Sequence, residues 1–205
     1  MASNLKIIEQ NTAYQGYIRI DQYRLQFLQF NGTWSGVQTR EVCRRGEAVV
    51  VLPYDPVRDT VLLIEQFRLP AYCQGFDPWL LELPAGMLDH GDETPAQVAT
   101  REMTEETGLA VEHLRLIHKF LPTPGVLAET IHLFVGRVDL TPLHHGHDFI
   151  HGHQHEGEDI KLRPTPFSDI AHLLSDNRIY NGTSMIGLYW LLQHRDQLRK
   201  EWISS

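Results

Sequence analysis

Residues 86 to 109 read GMLDHGDETPAQVATREMTEETGL, and the second half of that stretch decides what kind of molecule this is. Thr94 stands where an N-cap belongs, with Pro95 at the first helical position and Gln97 three residues after the cap, a capping box that opens a helix. Gly108 stands where a left-handed C-terminal residue belongs. REMTEETG (101–108) therefore occupies the last turns of a helix. At about 100° per residue, Glu102, Glu105 and Glu106 project within a narrow arc. Like charges at i,i+3 and i,i+4 repel by roughly 0.2–0.5 kcal/mol per pair, and Arg101 alone cannot neutralise three carboxylates. A solvated acidic face is the plain account of such a triplet. A hard divalent cation is the other, since Mg²⁺ prefers oxygen ligands and takes a few carboxylates together with waters and phosphate oxygens.

The rest of the chain narrows the choice. With 205 residues, 42% of them hydrophobic, it is long enough for one large domain or one domain with a sizeable extension, and apolar enough to bury a core. The start, MASNLKIIEQN, lacks the basic flank, apolar run and small-residue cleavage site of a secretory signal, and no stretch approaches about 18 uninterrupted apolar residues. A cytoplasmic protein with no membrane partner is expected. Cys43 and Cys73 match no disulfide framework or metal spacing and are read as reduced thiols. A formal charge of -8 argues against a nucleic-acid partner, because affinity for a phosphate backbone comes from clustered Lys and Arg. An anionic small molecule fits only where local cations or a bound metal reverse the sign.

Strand signals dominate the first two thirds. YIRIDQYRLQFLQF (17–30) is rich in aromatic and β-branched residues, NGTWSG turns the chain, and VQTREVCR returns as a second strand. This opening block reads as an appended sheet. EAVVVLPY (47–54) and VLLIEQFR (61–68) form an apolar pair joined by the turn DPVRDT, and WLLELPA (79–85) is a further strand leading into the glutamate region. Past the helix, HLRLIHKFL and IHLFVGRVDL are strand-like, separated by PTPGVLAET. Residues 141–159 read as a polar loop, DIKLRPTPF as strand, PFSDIAHLLSD as a short helix and TSMIGLYWLLQHRDQLRKEW as a longer amphipathic one. Strands with helices packed around them make the class α+β.

Taken whole, residues 86–109 resemble the signature of the Nudix hydrolases: Gly, five residues, Glu, seven residues, Arg-Glu, an aliphatic, any residue, Glu-Glu, any residue, Gly, an aliphatic. Gly86, Arg101, Glu102, Met103, Glu105, Glu106, Gly108 and Leu109 stand in for it here. Six residues instead of five separate Gly86 from Glu93. We take Glu93 as the first glutamate because its spacing to Arg101 is intact, so the departure bears on loop shape more than on metal. The resemblance implies an α/β/α sandwich with a mixed sheet over 46–205, extended by an antiparallel sheet over 1–45. It also implies that Glu102 and Glu106 are principal ligands of Mg²⁺, with Mn²⁺ as an alternative, that Glu105 shares the cluster, and that the carbonyl of Ala85 completes it. Arg101 would brace the loop through Glu93, with Gly86 and Gly108 as structural members.

Within the family the chain resembles the bacterial ADP-ribose pyrophosphatases, through TREVCRRG (39–46), DPVRDTVLLIEQFRLPAY (55–72), TPG (123–125) and EGEDI (156–160). Pro124 is the feature that in the family marks these enzymes against those acting on diadenosine polyphosphates. The resemblance implies Mg²⁺-dependent cleavage of ADP-ribose into AMP and ribose 5-phosphate, with Tyr17 stacking on adenine and Arg40, Arg45 and Arg68 contacting the nucleotide or its phosphates. It further implies a homodimer that exchanges the amino-terminal sheet. The alternatives are a hydrolase of another nucleoside diphosphate sugar, such as ADP-glucose or GDP-mannose, and a catalytically silent module that binds ADP-ribose.

Glu156 matches the mobile-loop glutamate that positions or deprotonates the attacking water in relatives, with Glu158 its rival and Glu105 on the helix as a third candidate; a loop suits the task because closure excludes water. Six histidines crowd into HHGHDFIHGHQH (144–155). No cysteine joins them and nothing sets tetrahedral geometry, so a solvated loop is expected instead of a zinc or nickel site. Protonation below about pH 6.5 would add positive charge there.

Overall fold

The computed structural model describes residues 4–88, 91–145, 150–152 and 159–203, which fall into two compact units.

The first unit comprises Met1–Glu47 and Leu121–Thr130. Strand β1 (Leu5–Gln15) pairs antiparallel with β2 (Arg19–Phe27), and β2 pairs antiparallel with the beginning of β3 (Gln38–Asp55). The sequence reading placed no strand at 5–15. Every residue of β1 is exposed, so the strand has no buried face and carries no period-two pattern to detect; its pairing with β2 makes it a strand. The run expected as strand from 17 begins instead at Arg19, after a tight connection in which the Gly16 amide donates to the Ile18 carbonyl (3.0 Å). Under this sheet lies a fully buried carboxylate, Asp21, which accepts from Arg19 Nε (2.7 Å), Arg44 Nε (3.1 Å) and Thr12 Oγ1 (3.1 Å). The two strands expected at VQTREVCR and EAVVVLPY are one. β3 passes without a break through Gly46, whose φ of 93° only glycine adopts freely.

The second unit comprises Ala48–Phe120 and Ile131–Ser205. Its sheet runs β3, β4 (Thr60–Phe67), β10 (Ile160–Pro166) and β9 (Ile150–His151). β5 (Trp79–Glu82) pairs with β4, β6 (Ala85–Met87) with β3, and β8 (Leu127–Arg137) with both β3 and β7 (Glu112–Phe120). Alternation along β3 and β4 sends side chains into two separate cores. Leu52, Tyr54, Val61 and Leu63 pack with Ile170 of α3 (Phe167–Ser175) and with Leu188, Leu191 and Leu198 of α4 (Gly182–Ile203). Val49, Val51, Leu62 and Ile64 pack with Val98, Ala99 and Met103 of α2 (Pro95–Thr107). Helices therefore cover both faces, as an α/β/α sandwich requires. The stripe Ser184, Gly187, Leu188, Leu191, Leu198 and Trp202 is the buried side of α4. Three short elements had no counterpart in the sequence reading, α1 (Leu69–Cys73) and, within the expected loop 141–159, a 3-10 turn at Thr141–His145 and β9; the run 79–85 is also broken into β5 and β6. All are too short for a periodic signal.

The turn after β3 is pinned from several sides. Asp55 Oδ1 accepts from the amides of Val57 (2.9 Å) and Arg58 (3.0 Å). Asp59, at φ 54°, accepts from Tyr54 Oη (2.6 Å) and Arg195 Nε (2.9 Å), which ties α4 to the turn. Among the described residues no helix is long and apolar enough to cross a membrane.

Candidate active site

Helix α2 is built as its sequence dictates. The Thr94 side chain accepts from the Gln97 amide (3.3 Å), and Gln97 Oε1 accepts from the Thr94 amide (2.8 Å). At the other end Gly108 is left-handed (φ 69°), its amide donating to the Thr104 carbonyl (2.9 Å). Val98, Ala99 and Met103 anchor the helix in the core and set its rotation, and Glu106 is carried inward with them to 4% exposure.

That rotation brings two carboxylates to consecutive residues of β6. Glu106 Oε2 accepts from the Ala85 amide at 3.0 Å. The carboxylate of Glu102 lies against Gly86 so closely that a Cβ there would overlap it. β6 is held in place by pairing with β3, Ala85 opposite Val50 and Gly86 opposite Val49. Carboxylates one helical turn apart thus meet consecutive residues of β6, and a donor set of oxygens alone suits a hard divalent cation. Among the described residues no group of three His, Cys, Asp or Glu side chains is gathered for a metal.

The sequence reading gave Arg101 a single partner, Glu93. Its Nε does lie 3.4 Å from Glu93, but Nη1 also reaches Glu102 and Glu105, each at 2.8 Å. Burial opposes the charge of Arg101, yet Glu102, Glu105 and Glu93 outweigh it and hold the guanidinium protonated more firmly than usual. The like-charge repulsion expected along α2 is therefore relieved in part by this one arginine, which pairs with Glu105 as well as Glu102. Arg101 Nε and Nη2 and Glu93 Oε2 remain buried without a hydrogen-bond partner, so the cluster has hydrogen-bonding capacity in reserve. Ala85, Gly86, Glu93, Arg101, Glu102, Glu105, Glu106 and Gly108 are all in the second unit.

In the same unit lies a residue set that the motif does not include. Arg68 Nε donates to Glu82 Oε2 at 2.8 Å, and Glu82 is 3% exposed. Asn181 Nδ2 donates to the other oxygen, Oε1, at 2.7 Å. A lone Glu inside WLLELPA offers no periodic signal of a functional role; only the pairing of Ile64 with Glu82 across β4 and β5 reveals that it is buried.

Tyr17, Arg40 and Arg45 belong to the first unit. Tyr17 is 89% exposed, and the Arg45 guanidinium lies 5.1 Å above its ring, within cation–π range. Arg45 Nε also stands 3.9 Å from Glu129. Burial pushes the Glu129 carboxyl up from its ordinary value, against the pull of Arg45. Glu129 lines a cavity of ≈ 470 Å³ together with Val42, Gly46, Pro124 and Thr130, a volume suited to a small ligand. The sequence reading missed Glu129, because PTPGVLAET reads as a turn-rich connection, whereas Leu127–Thr130 form the half-buried start of β8. Arg40 bonds only its neighbours among the described residues, the Thr39 carbonyl (3.1 Å) and Gln38 Oε1. Glu156 and Glu158 lie outside the described residues, as does most of the histidine tract; of its histidines, His151 on β9 has its ring beside Gly108 at the end of α2.

This constellation can be set against known proteins. A NUDIX domain model matches residues 44–177. The chain is 40% identical over 200 residues to an ADP-ribose pyrophosphatase of Escherichia coli (strain K12), covering 98% of this chain and 93% of that protein. It is 37% identical over 205 residues to an ADP-ribose pyrophosphatase of Haemophilus influenzae, covering 98% and 92%. To a GDP-mannose pyrophosphatase of Pectobacterium atrosepticum it is 32% identical over 197 residues, covering 95% of each. A crystal structure described as an ADP compounds hydrolase superposes with a TM-score of 0.72 at 20% identity, over 97% of this chain and 98% of that one, and so shares its fold. With a domain model spanning well over half its length and relatives this similar along nearly all of it, the chain belongs to the Nudix family.

Proposed function

We propose that this protein hydrolyses the diphosphate bond of ADP-ribose, releasing AMP and ribose 5-phosphate, with Mg²⁺ bound at the end of α2. The observation that carries the reading is the meeting of Glu102 and Glu106 with consecutive residues of β6. Glu102, Glu106 and the Ala85 carbonyl would hold the ion, and Glu105 would join them where substrate displaces its link to Arg101. A divalent ion bound there neutralises phosphate oxygens, orients the diphosphate and acidifies a water. The chain's own groups do the rest. Arg101 lessens the repulsion among the carboxylates, Arg68 meets the diphosphate, and Glu156 or Glu158 accepts the proton of the attacking water.

The choice of ADP-ribose is supported by 40% identity along nearly the whole chain to proteins named for that substrate. Relatives named for GDP-mannose stand at 32% and 31%, which keeps a second nucleotide sugar as the competing reading. In the first unit, Tyr17 stacks on adenine and Arg40 and Arg45 contact the nucleotide. Exchange of the sheet of residues 1–45 in a homodimer accounts for the exposure of Leu5, Ile7, Ile8 and Tyr14 along β1, since a row of bare apolar side chains on one strand marks an interface. A cytoplasmic location suits the two free cysteines.

One substrate panel tests the reading. AMP released from ADP-ribose with added Mg²⁺, at a kcat/KM above those for ADP-glucose and GDP-mannose, is the expected result. Higher kcat/KM for GDP-mannose would transfer the assignment, and binding of ADP-ribose without release of AMP would leave a silent module. Sedimentation as a monomer would remove the exchanged dimer.

A further inference from the structure

Arg68 is held unusually well for a surface arginine. Its backbone amide donates to the Pro78 carbonyl at 2.7 Å, and its own carbonyl accepts from the Ala71 amide at 3.1 Å. The side chain is 42% exposed, yet Nε is fixed on Glu82, and Nη1 and Nη2 make no hydrogen bond among the described residues. The arginine is thus tethered by one nitrogen and presents the outer edge of its fork.

The tether has its own support. Glu82 is anchored through its second oxygen by Asn181 Nδ2. Asn181 stands immediately before α4 and uses its Oδ1 to accept from the Ser184 amide at 2.9 Å, as an N-cap does. Ser184 Oγ in turn accepts from the Leu83 amide at 3.0 Å, next to Glu82 itself. The circuit closes: Leu83, Ser184, Asn181, Glu82. Close packing reinforces it, because a Cβ on Gly187 would stand 2.8 Å from the Leu83 side chain. Nothing in this circuit is needed to cap α4 or pair β5 beyond a generic polar side chain. A carboxylate taken out of water is costly unless it is paired, so its placement calls for a purpose at Arg68.

We propose that Glu82, with Asn181 behind it, is a positioning residue that aims the open edge of Arg68 at the diphosphate of the nucleotide sugar. The inference rests on the function proposed above, in which Arg68 meets that diphosphate. A planar guanidinium recognises phosphate oxygens through two parallel N–H groups, which works only when its plane is set in advance. Fixing Nε through a buried, doubly anchored carboxylate sets that plane before substrate arrives, in the way that outer hydrogen bonds orient the groups of a designed site.

The test compares Glu82→Gln, Asn181→Ser, Arg68→Ala and the double variant Glu82→Gln/Arg68→Ala, reading KM and kcat for ADP-ribose and calorimetric Kd. Glu82→Gln keeps the volume but loses the charge that fixes Nε. Asn181→Ser keeps an oxygen to cap α4 and loses the donor to Glu82, so it serves where Glu82→Gln folds poorly. Expected are a KM and Kd raised about tenfold by Glu82→Gln and about threefold by Asn181→Ser, with kcat within about twofold, the signature of lost uniform binding. The double variant should bind no worse than Arg68→Ala alone, because residues acting through one another are not additive. Losses that add in the double variant, or a lowered Tm with KM and Kd unchanged, would overturn the inference. Should wild type bind ADP-ribose without hydrolysing it, the proposed reaction fails while Kd still decides the role of Glu82.

Discussion

The carboxylate of Glu102 occupies the space in which a side chain on Gly86 would have to stand. Glycine at 86 is therefore a requirement of the site and not of the backbone. Gly86→Ala forces Glu102 off the loop, and overpacking of this kind costs about 1–3 kcal/mol. We expect Tm to fall by a few degrees and AMP release to fall by far more, at least a hundredfold, because the displaced group is a proposed ligand. Activity and melting measured on the same preparation check this; proportionate small losses in both would count against Glu102.

Glu106→Gln separates structure from chemistry. The amide oxygen still accepts from Ala85, so Tm should stay within about 2 °C of wild type, whereas the loss of a negative charge weakens a hard-cation site. The Mg²⁺ concentration giving half-maximal activity should rise at least tenfold. Chelation with EDTA should abolish activity in both proteins and added Mg²⁺ restore it.

For the loop glutamates, we expect Glu156→Gln to lose most of kcat with KM changed less than about threefold, as removal of a proton acceptor does. An unaffected kcat moves the role to Glu158 or to Glu105.

Acid should weaken the amino-terminal unit through Asp21. Its hydrogen bond from Arg19, aided by Arg44 and Thr12 and opposed by burial, holds the Asp21 carboxyl at about 2, below its ordinary 3.8. A carboxyl lowered in the folded state contributes stability that is full above its unfolded value, near 4, and lost as pH falls towards 2. Trp34 lies in this unit, whereas Trp79, Trp190 and Trp202 lie in the other. In a protein carrying only Trp34, fluorescence-detected urea unfolding should weaken steadily from pH 4 to 2.5. The same measurement with Asp21→Asn should show lower stability at pH 7 and little further loss with acid.

Tyr54→Phe isolates the clamp on the turn at Asp59. The hydroxyl donates to Asp59 at 2.6 Å, and burial together with Asp59 raises the phenol above its usual range. Deleting one hydrogen bond of this sort costs about 0.5–1.5 kcal/mol, or roughly 1–6 °C in a chain of this size. Arg195 remains on Asp59, so kcat/KM should not change.

How much could be read before folding is visible in particular residues. The helix at 95–107 was legible to the residue, because Thr94, Pro95, Gln97 and Gly108 are local devices whose chemistry works within one turn. The strand at 5–15 was not, since it is exposed throughout and owes its existence to β2. Nor was the splitting of 79–85, where pairing with β4 and β3 in turn breaks one apolar run into two strands.

The motif's residue types, their spacing and the helix that carries three glutamates are properties of the chain alone, because capping and the 100° step act between neighbours. Which partners those glutamates take is decided only when distant segments meet. Arg101 gathers Glu93, Glu102 and Glu105 at once, β6 delivers Ala85 and Gly86 to Glu106 and Glu102, and Asn181 arrives from 99 positions away to hold Glu82. Charge pairing and close approach depend on separations of a few ångströms, and those exist only after the two faces of the sheet have closed on their cores.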